Sequence, residues 1–306
     1  KITEGVVIID FGSQYSHLIA RRVRELNVYC EVISHTDTWD TVEHINPKGV
    51  ILSGGPSSVY DDDAPLAQTW VYEKRLPILG ICYGMQVLAH QLGGSVSPST
   101  KREYGHAVLH QNYSESPLFG QLDLSMPVWM SHGDQIQGLP PGFKALGYTD
   151  NSPIAVMGGE KDIFGLQFHP EVAHTPQGKQ ILKNFLVDIC GCRANWTSVN
   201  VVSEAVAIIK KRVGDGKVLC ALSGGVDSAV TAALVHRAVG DQLICIFVNN
   251  GLLRLEEAER VQNTFERHLK MNFVYVDASQ RFLEKLKGVI DPEDKRKKIG
   301  EEFIRV

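Results

Sequence analysis

Short apolar runs alternate with segments of helical periodicity along the first part of the chain. The run "GVVIIDF" at residues 5–11 predicts a strand, and residues 14–27 carry apolar positions at helical spacing. Further strand-like runs follow, of which "GVILSGG" and "LPILGIC" are the clearest. Strands separated by helical segments predict βαβ units, which build an open, mostly parallel sheet with helices on both faces. We therefore predict an α/β fold.

This alternation is interrupted once, and the interruption predicts a domain boundary. A helical segment around residues 177–190 closes the first unit, and residues 194–199 predict a linker. Beyond it we expect a helix that begins near Ser203, then a strand, a glycine loop and another helix. The predicted domains are residues 1–193 and 200–306. We expect the second to be an incomplete α/β domain, because the sequence stops within a predicted helix.

The composition narrows the class of protein. The 306 residues include 43% hydrophobic and 22% charged residues, which are ordinary values for a globular protein. A formal net charge of -4 provides no broad basic surface, so neither nucleic acid nor a membrane is an expected partner. No apolar run is long enough to span a bilayer, and the six cysteines lack the spacing of a disulfide framework. We expect a reduced, cytoplasmic protein in which Cys190 and Cys192 bind no metal.

A cysteine at a strand end is the first candidate for chemistry. Cys82 follows the strand-like "LPILGI" and precedes a helical pattern, with Gly80 and Gly84 on either side. Functional groups gather at the carboxyl ends of parallel strands, and the N-terminus of a helix stabilises a thiolate. Cys82 is then either a nucleophile on a sharp turn or a buried thiol that fills the strand end.

A thiol nucleophile needs a base, and "GLQFHPEV" provides one. His169 and Glu171 are two positions apart in an extended segment, because Pro170 restricts the residue before it. Glu171 can therefore orient His169 toward the thiol. A third strand end, "ILSGGPSSV", carries adjacent glycines whose N–H groups, with that of Tyr83, can face a developing oxyanion.

The segments "SGGP", "GICYGMQ" and "QFHPE", in this order, resemble the class I (triad) glutamine amidotransferase family, which has a flavodoxin-like fold. The resemblance covers residues 5–190. It implies that Cys82 attacks the side-chain amide of glutamine to form a thioester, and that His169 transfers protons while Glu171 orients it. It also implies oxyanion donors at Gly55 and Tyr83. The resemblance places glutamine binding at Gln86 and in the "MSHGD" loop, at Ser131, His132 and Asp134.

The second glycine loop, "ALSGGVDSAV", lies between a strand and a helix. Consecutive N–H groups at a helix start bind anions, but this loop lacks the lysine and the spacing of a Walker A motif. Asp227 would repel phosphate unless Mg²⁺ intervened, which favours Mg²⁺-bound pyrophosphate. An ordinary Gly-Gly turn is the alternative.

The motif "SGGVDS" resembles the ATP pyrophosphatase (PP-loop) family, whose members cleave ATP between its α- and β-phosphates. Residues 291–303 resemble the mobile lid of this family, with Arg296 over the nucleotide; a solvated helix start is the alternative. Asn249 departs from the Asp expected after the next strand. The resemblance implies ATP binding at Ser223, Gly224, Gly225, Val226, Asp227, Ser228, Ala229 and Val248, with Asp227 also as a metal ligand.

An ammonia-generating unit joined to an adenylating unit resembles the glutamine-hydrolysing GMP synthetase family. That resemblance implies glutamine, ATP and XMP as substrates, Mg²⁺ with ATP and no organic prosthetic group. It also implies a homodimer formed through a segment beyond Val306. Two alternatives stay open: a stand-alone glutaminase or γ-glutamyl hydrolase with an unrelated second domain, and a non-catalytic sensor of glutamine or nucleotide.

Overall fold

The structure, a computed structural model, describes residues 4–112 and 115–306. It divides into two compact units, Lys1–Thr197 and Ser198–Val306. Within the described ranges, no helix is both long enough and apolar enough to cross a membrane.

The first unit is built on a nine-stranded sheet with the order β2-β1-β3-β4-β9-β8-β7-β5-β6. The five strands from β2 to β9 pair in parallel, and the remaining four pair antiparallel. The α/β prediction is confirmed, and the sheet is mixed. Its strands are β1 (Gly5–Asp10), β2 (Cys30–Ser34), β3 (Pro47–Leu52), β4 (Ile78–Ile81), β5 (Ser95–Gln111), β6 (Ser125–Gly138), β7 (Lys144–Tyr148), β8 (Val156–Gly158) and β9 (Ile163–Leu166).

Both faces of this sheet are covered, as the continuous apolar runs predict. In β1, Val6 and Ile8 belong to one buried cluster, whereas Val7 and Ile9 belong to the other. This alternation follows from the period of two in a strand. The helices are α1 (Ser16–Glu25), α2 (Trp70–Glu73), α3 (Tyr83–Gln91) and α4 (Gly178–Lys183), and a π-helical segment, Asn184–Ile189, continues α4.

The second unit has a three-stranded parallel sheet in the order β10-β11-β12. Alternate residues of its central strand, Leu243, Cys245 and Phe247, are buried in a small core. The elements are α5 (Ser198–Val213), β10 (Val218–Leu222), α6 (Val226–Val239), β11 (Leu243–Asn249), α7 (Glu257–Gln262), a π-helical segment (Asn263–His268), β12 (Asn272–Asp277), α8 (Ser279–Leu286) and α9 (Pro292–Arg305).

Two local predictions need correction. The helix expected to begin near Ser203 begins at Ser198, so Ser203 lies inside α5. The "MSHGD" segment is not a loop, because it lies within the long strand β6, which pairs with β5.

Candidate active site

Cys82 lies on a strained turn between β4 and α3. Its φ is 53° and its ψ is -108°, a backbone conformation that costs a residue with a side chain roughly 1–3 kcal/mol. The Cys82 N–H donates to the Leu166 carbonyl at 2.7 Å, which ties the turn to β9. The side chain is 5% exposed. The thiol therefore lies at the carboxyl end of the parallel strands, in the geometry of a nucleophile elbow.

The glycines beside Cys82 permit close packing of the elbow. A Cβ at Gly84 would lie 2.3 Å from the Leu52 carbonyl oxygen, and a Cβ at Gly80 would lie 2.6 Å from the Gly84 oxygen. No real Cβ tolerates such distances to backbone. The sequence "GICYG" thus holds α3 directly against the end of β3.

His169 and Glu171 form a buried pair beyond the end of β9. The His169 Nδ1 lies 2.7 Å from Oε1 of Glu171, and both side chains are almost fully buried. Backbone contacts also fix the pair, because the His169 N–H donates to the Trp129 carbonyl and the Thr175 hydroxyl donates to the His169 carbonyl. With Nδ1 bonded to Glu171, Nε2 is the ring nitrogen left for the thiol.

Cys82 and His169 meet beside Gly54. A Cβ at Gly54 would lie 3.3 Å from Cε1 of His169 and 3.8 Å from Cβ of Cys82. Burial lowers the pKa of His169, but hydrogen bonds and charge from Cys82 and Glu171 outweigh burial and raise it to about 10. The arrangement therefore favours the protonated form of the His169 imidazole beside the thiol.

The predicted oxyanion donors are the backbone N–H groups of Gly55 and Tyr83. Gly55 is packed so closely that an added Cβ would lie 3.0 Å from both the Phe11 carbonyl oxygen and the Tyr83 ring. Tyr83 is the first residue of α3, where backbone N–H groups have no partner within the helix. Gly55 and Tyr83 line the same cavity as Cys82. Their role as oxyanion donors stays a prediction.

A cavity of about 510 Å³ opens next to Cys82. All four residues predicted to bind glutamine line it, and Asp134 presents a carboxylate to it. This carboxylate accepts hydrogen bonds from the Ser58 hydroxyl at 2.6 Å and the Tyr60 hydroxyl at 2.7 Å. The lining residues are Gly55, Pro56, Ser57, Ser58, Tyr60, Cys82, Tyr83, Gln86, Pro98, Ser99, Tyr104, Ser131, His132, Gly133 and Asp134.

The predicted glutamine-binding residues differ in what they offer to a ligand. The Gln86 side-chain amide donates to the Asp134 carbonyl at 3.3 Å, and the Ser131 carbonyl lies 3.5 Å from the Cys82 sulfur. His132 is 4% exposed, and its ring nitrogens contact Glu103 and the Asp134 carbonyl. Asp134 is therefore the charged group available to a ligand, whereas the His132 ring is occupied within the protein.

Three contributors escaped the sequence-based predictions. Ser58 and Tyr60 follow the "SGGP" glycines, and their hydroxyl groups close to a strand end could have indicated a role in the site. Glu103 had no local signal, since only the pairing of β5 with β6 brings it opposite His132.

The predicted ATP loop lies between β10 and α6. Gly224 has a φ of 79°, and the Ser223 and Ser228 hydroxyls lie 3.1 Å apart. The Ser228 hydroxyl also donates to the Gly225 carbonyl at 2.9 Å. Ser223 and Val248 line a second cavity, of about 650 Å³, at the carboxyl end of this sheet. Hydrogen bonds made by the Ser223 and Ser228 hydroxyls therefore hold the loop in shape, and the loop lies beside an apolar cavity.

Other predicted nucleotide-binding residues lie around the start of α6. Val226 and Asp227 begin the helix, and Ala229 follows one residue after Ser228. Across residues 4–112 and 115–306, no three His, Cys, Asp or Glu side chains gather as a metal site. Asp227 therefore does not belong to a cluster of three such side chains within the described residues.

Arg296 is not part of the ATP loop. It lies on α9, where it forms a 2.6 Å ion pair with Glu293 one turn earlier. Asp291 caps this helix by accepting from the N–H groups of Glu293 and Asp294. Residues 291–303 thus form the capped start and body of α9, and both the lid and the ligand role of Arg296 stay predictions.

Comparison with known proteins agrees with the first site. The family model for glutamine amidotransferase class-I matches residues 7–189. The chain belongs to this family of class I glutamine amidotransferases. A second model, described as tRNA methyl transferase HUP domain, matches residues 216–279.

Curated relatives match both units. The GMP synthase [glutamine-hydrolyzing] of Dehalococcoides mccartyi (strain CBDB1) is 61% identical over 305 residues, which are 100% of this chain and 57% of the relative. The GMP synthase [glutamine-hydrolyzing] of Thermomicrobium roseum is 56% identical over 99% of this chain and 57% of its own length. This chain thus spans 57% of the length of these relatives.

A solved structure resembles the first unit. A GMP synthase component from Thermoplasma acidophilum superposes with a TM-score of 0.56 at 29% identity. The match covers 66% of this chain and 98% of that protein.

Proposed function

We propose that this chain is the ammonia-generating unit, together with the start of the ATP-using unit, of an enzyme that makes GMP. The overall reaction is ATP + XMP + glutamine + water → AMP + pyrophosphate + GMP + glutamate. The observation that carries this proposal is the buried Cys82–His169–Glu171 arrangement beside a cavity with a carboxylate on its wall. The names of the two relatives supply the product.

The chemistry of the first unit follows from its geometry. The Cys82 thiolate attacks the side-chain carbonyl of glutamine, and the oxyanion that forms lies next to Gly55 and the start of α3. His169 donates a proton to the departing nitrogen, which leaves as ammonia. The glutamyl group stays bonded to the Cys82 sulfur as a thioester. His169 then removes a proton from water, which attacks the thioester to release glutamate and free the thiolate. Glu171 holds the imidazole in place through both steps.

Recognition of glutamine is assigned to the cavity wall. The Asp134 carboxylate receives one neutral donor on each oxygen, from Ser58 and Tyr60, and keeps lone pairs for the α-ammonium group. With the ammonium group held there, the side-chain amide extends toward Cys82. The volume of about 510 Å³ is ample for one amino acid.

The second unit is assigned to the use of ATP. The N–H groups at the start of α6 would face phosphate oxygens, and Val248 would lie near the base. Asp227 would hold Mg²⁺ together with phosphate oxygens of ATP, since the described residues form no cluster of three or more His, Cys, Asp or Glu side chains that could bind it alone. The ion would neutralise the charge on pyrophosphate as that group leaves. XMP, a homodimer and the cytoplasmic location remain predictions.

The alternatives have less support. If the protein were a γ-glutamyl hydrolase or a stand-alone glutaminase, the high identity to GMP synthases over the whole chain, including the second unit, would have no explanation. A non-catalytic sensor would not need an imidazole whose pKa is raised by the adjacent thiol.

The test uses the full-length enzyme that contains this chain. Cys82→Ala should abolish GMP formation from XMP with glutamine and leave formation with added ammonium intact. Cys220→Ala, which removes a thiol of the second unit, is the matched control and should retain both activities. Loss of the ammonium-driven reaction in a folded Cys82→Ala protein would contradict the division of labour between the units.

A further inference from the structure

A buried carboxylate lies behind the cavity wall. Glu103 is 7% exposed and stands directly opposite His132 in the β5–β6 pairing. It accepts hydrogen bonds from the Thr149 hydroxyl at 3.0 Å and the Ser152 hydroxyl at 2.9 Å, and its Oε2 lies 3.3 Å from Nε2 of His132. One carboxylate therefore joins three separate segments of the chain.

The hydrogen-bond partners of His132 lie on both of its ring nitrogens. Its Nδ1 lies 2.8 Å from the Asp134 carbonyl oxygen, which can only accept, so Nδ1 carries a hydrogen. Its Nε2 lies 3.3 Å from Oε2 of Glu103 and 3.4 Å from the Ser152 hydroxyl. Burial raises the pKa of Glu103, but the hydrogen bonds from His132, Ser152 and Thr149 outweigh burial and lower it. Glu103 and His132 thus belong to one buried hydrogen-bond network.

This pair reaches the cavity through the backbone of β6. The Asp134 carbonyl accepts from both the His132 ring and the Gln86 side chain. Ser131, which precedes His132, places its carbonyl 3.5 Å from the Cys82 sulfur. A shift of the His132 ring would therefore displace the residues on both sides of it, including the carboxylate assigned to the ammonium group.

We propose that Glu103 is a positioning residue for glutamine, which acts through His132 to set the position of Asp134 relative to Cys82. This inference rests on the proposed function of the same cavity. Glu103 does not contact the reacting atoms. It holds His132 in place, and His132 in turn holds the part of the cavity wall that carries Asp134. Loss of its charge should weaken glutamine binding and leave the intrinsic reactivity of the thiol unchanged.

The experiment compares two reagents that modify Cys82 in the whole chain. 6-Diazo-5-oxo-norleucine, a glutamine analogue, must bind in the cavity before it alkylates the thiol, whereas iodoacetamide needs no such recognition. Glu103→Gln keeps the shape of the side chain but replaces one accepting oxygen with an NH₂ group, which cannot accept hydrogen bonds from Thr149, Ser152 or His132. We expect the half-saturating concentration of the analogue to rise roughly tenfold or more, because a buried ionic hydrogen bond is lost. The rate with iodoacetamide should change by less than about twofold, since the thiol and its base are untouched.

Two further variants separate positioning from simple destabilisation. Glu103→Asp retains the charge and should recover part of the affinity for the analogue. Asn184→Ala removes a buried side chain that donates to the Leu118 and Gly120 carbonyls and does not line the cavity, so it should lower the melting temperature and leave analogue binding close to wild type. Unchanged analogue binding in Glu103→Gln would overturn the inference, as would an equal loss in Asn184→Ala. If the analogue fails to label the folded wild-type chain, the proposed function itself fails and the inference falls with it.

Discussion

The His169 Nδ1 lies 2.7 Å from Oε1 of Glu171, and neither side chain is appreciably exposed. This contact fixes which ring nitrogen faces Cys82 and contributes to the high pKa of His169. A base held in this way keeps a raised pKa, so its protonated form is favoured beside the thiol.

The titration of His169 should report on the thiol. In Cys82→Ala we expect the pKa of His169 to fall from about 10, because the hydrogen bond and charge of Cys82 raise it. NMR titration of ¹³C-labelled histidine would measure the change, with Cys220→Ala as the control. The sign for stability follows: protonation of His169 stabilises the fold fully below pH 6.5, and this contribution is lost as the pH rises toward about 10. An identical titration in Cys82→Ala and wild type would contradict the effect of Cys82 on the pKa of His169.

The strain at Cys82 should be measurable. Cys82→Gly and Cys82→Ala both remove the thiol, but only glycine accepts a φ of 53° with a ψ of -108° at little cost. We expect the glycine variant to have the larger free energy of unfolding, by about 1 kcal/mol after allowance for its more flexible unfolded chain. Urea denaturation of the two variants provides the comparison. Equal stability would argue that the elbow is relaxed.

Gly84 should tolerate no side chain. Alanine there would place its Cβ 2.3 Å from the Leu52 carbonyl oxygen, so either β3 or α3 must move. We expect a loss of about 3 kcal/mol or more in the free energy of unfolding. Gly300→Ala is the control, because a Cβ on that helical residue meets nothing within 4 Å and should stabilise the protein slightly. Thermal melts that rank the two variants in the opposite order would refute the packing argument.

Asp134 should dominate recognition by charge. Asp134→Asn keeps the hydrogen-bonding shape but removes the negative charge that faces the cavity. We expect the half-saturating concentration of the glutamine analogue to rise by roughly 10- to 100-fold, since a charge-assisted contact is lost. Tyr60→Phe removes only one neutral donor to Asp134 and should cost several-fold less. Comparable effects of the two variants would mean that Asp134 acts mainly through its hydroxyl partners.

Asp227 should matter only to the use of ATP. In the full-length enzyme, Asp227→Asn should reduce Mg²⁺-dependent exchange between ATP and pyrophosphate by about tenfold or more, because the carboxylate proposed to bind Mg²⁺ is lost. Labelling of Cys82 by the glutamine analogue should be unchanged. Asp241→Asn, at the turn after α6, is the control. Normal exchange in Asp227→Asn would remove the carboxylate from the proposed metal site.

The parts of the site that depend on short segments were predictable from the sequence. A strand, a glycine-flanked cysteine and a helix define the elbow within a few residues, and Pro170 fixes the relation of His169 to Glu171. The contacts that depend on distant pairing were not. Glu103 reaches His132 only because the β5–β6 register shifts between Pro98 and Glu103. The family resemblance placed Ser131–Asp134 in a loop, whereas the segment lies within β6, where burial alternates as expected of a strand.

The division of the site between two parts of the sheet has an evolutionary consequence. Strands β4 and β9, in the parallel part, position the thiol and its base, whereas the antiparallel hairpin of β5 and β6 contributes Asp134 to the cavity wall. The backbone of β6 also contacts the reacting groups, because the Trp129 carbonyl accepts from the His169 N–H and the Ser131 carbonyl lies 3.5 Å from the Cys82 sulfur. A lineage that adapts this wall to another amide donor could therefore exchange side chains of the hairpin, but it would have to keep the path of the β6 backbone.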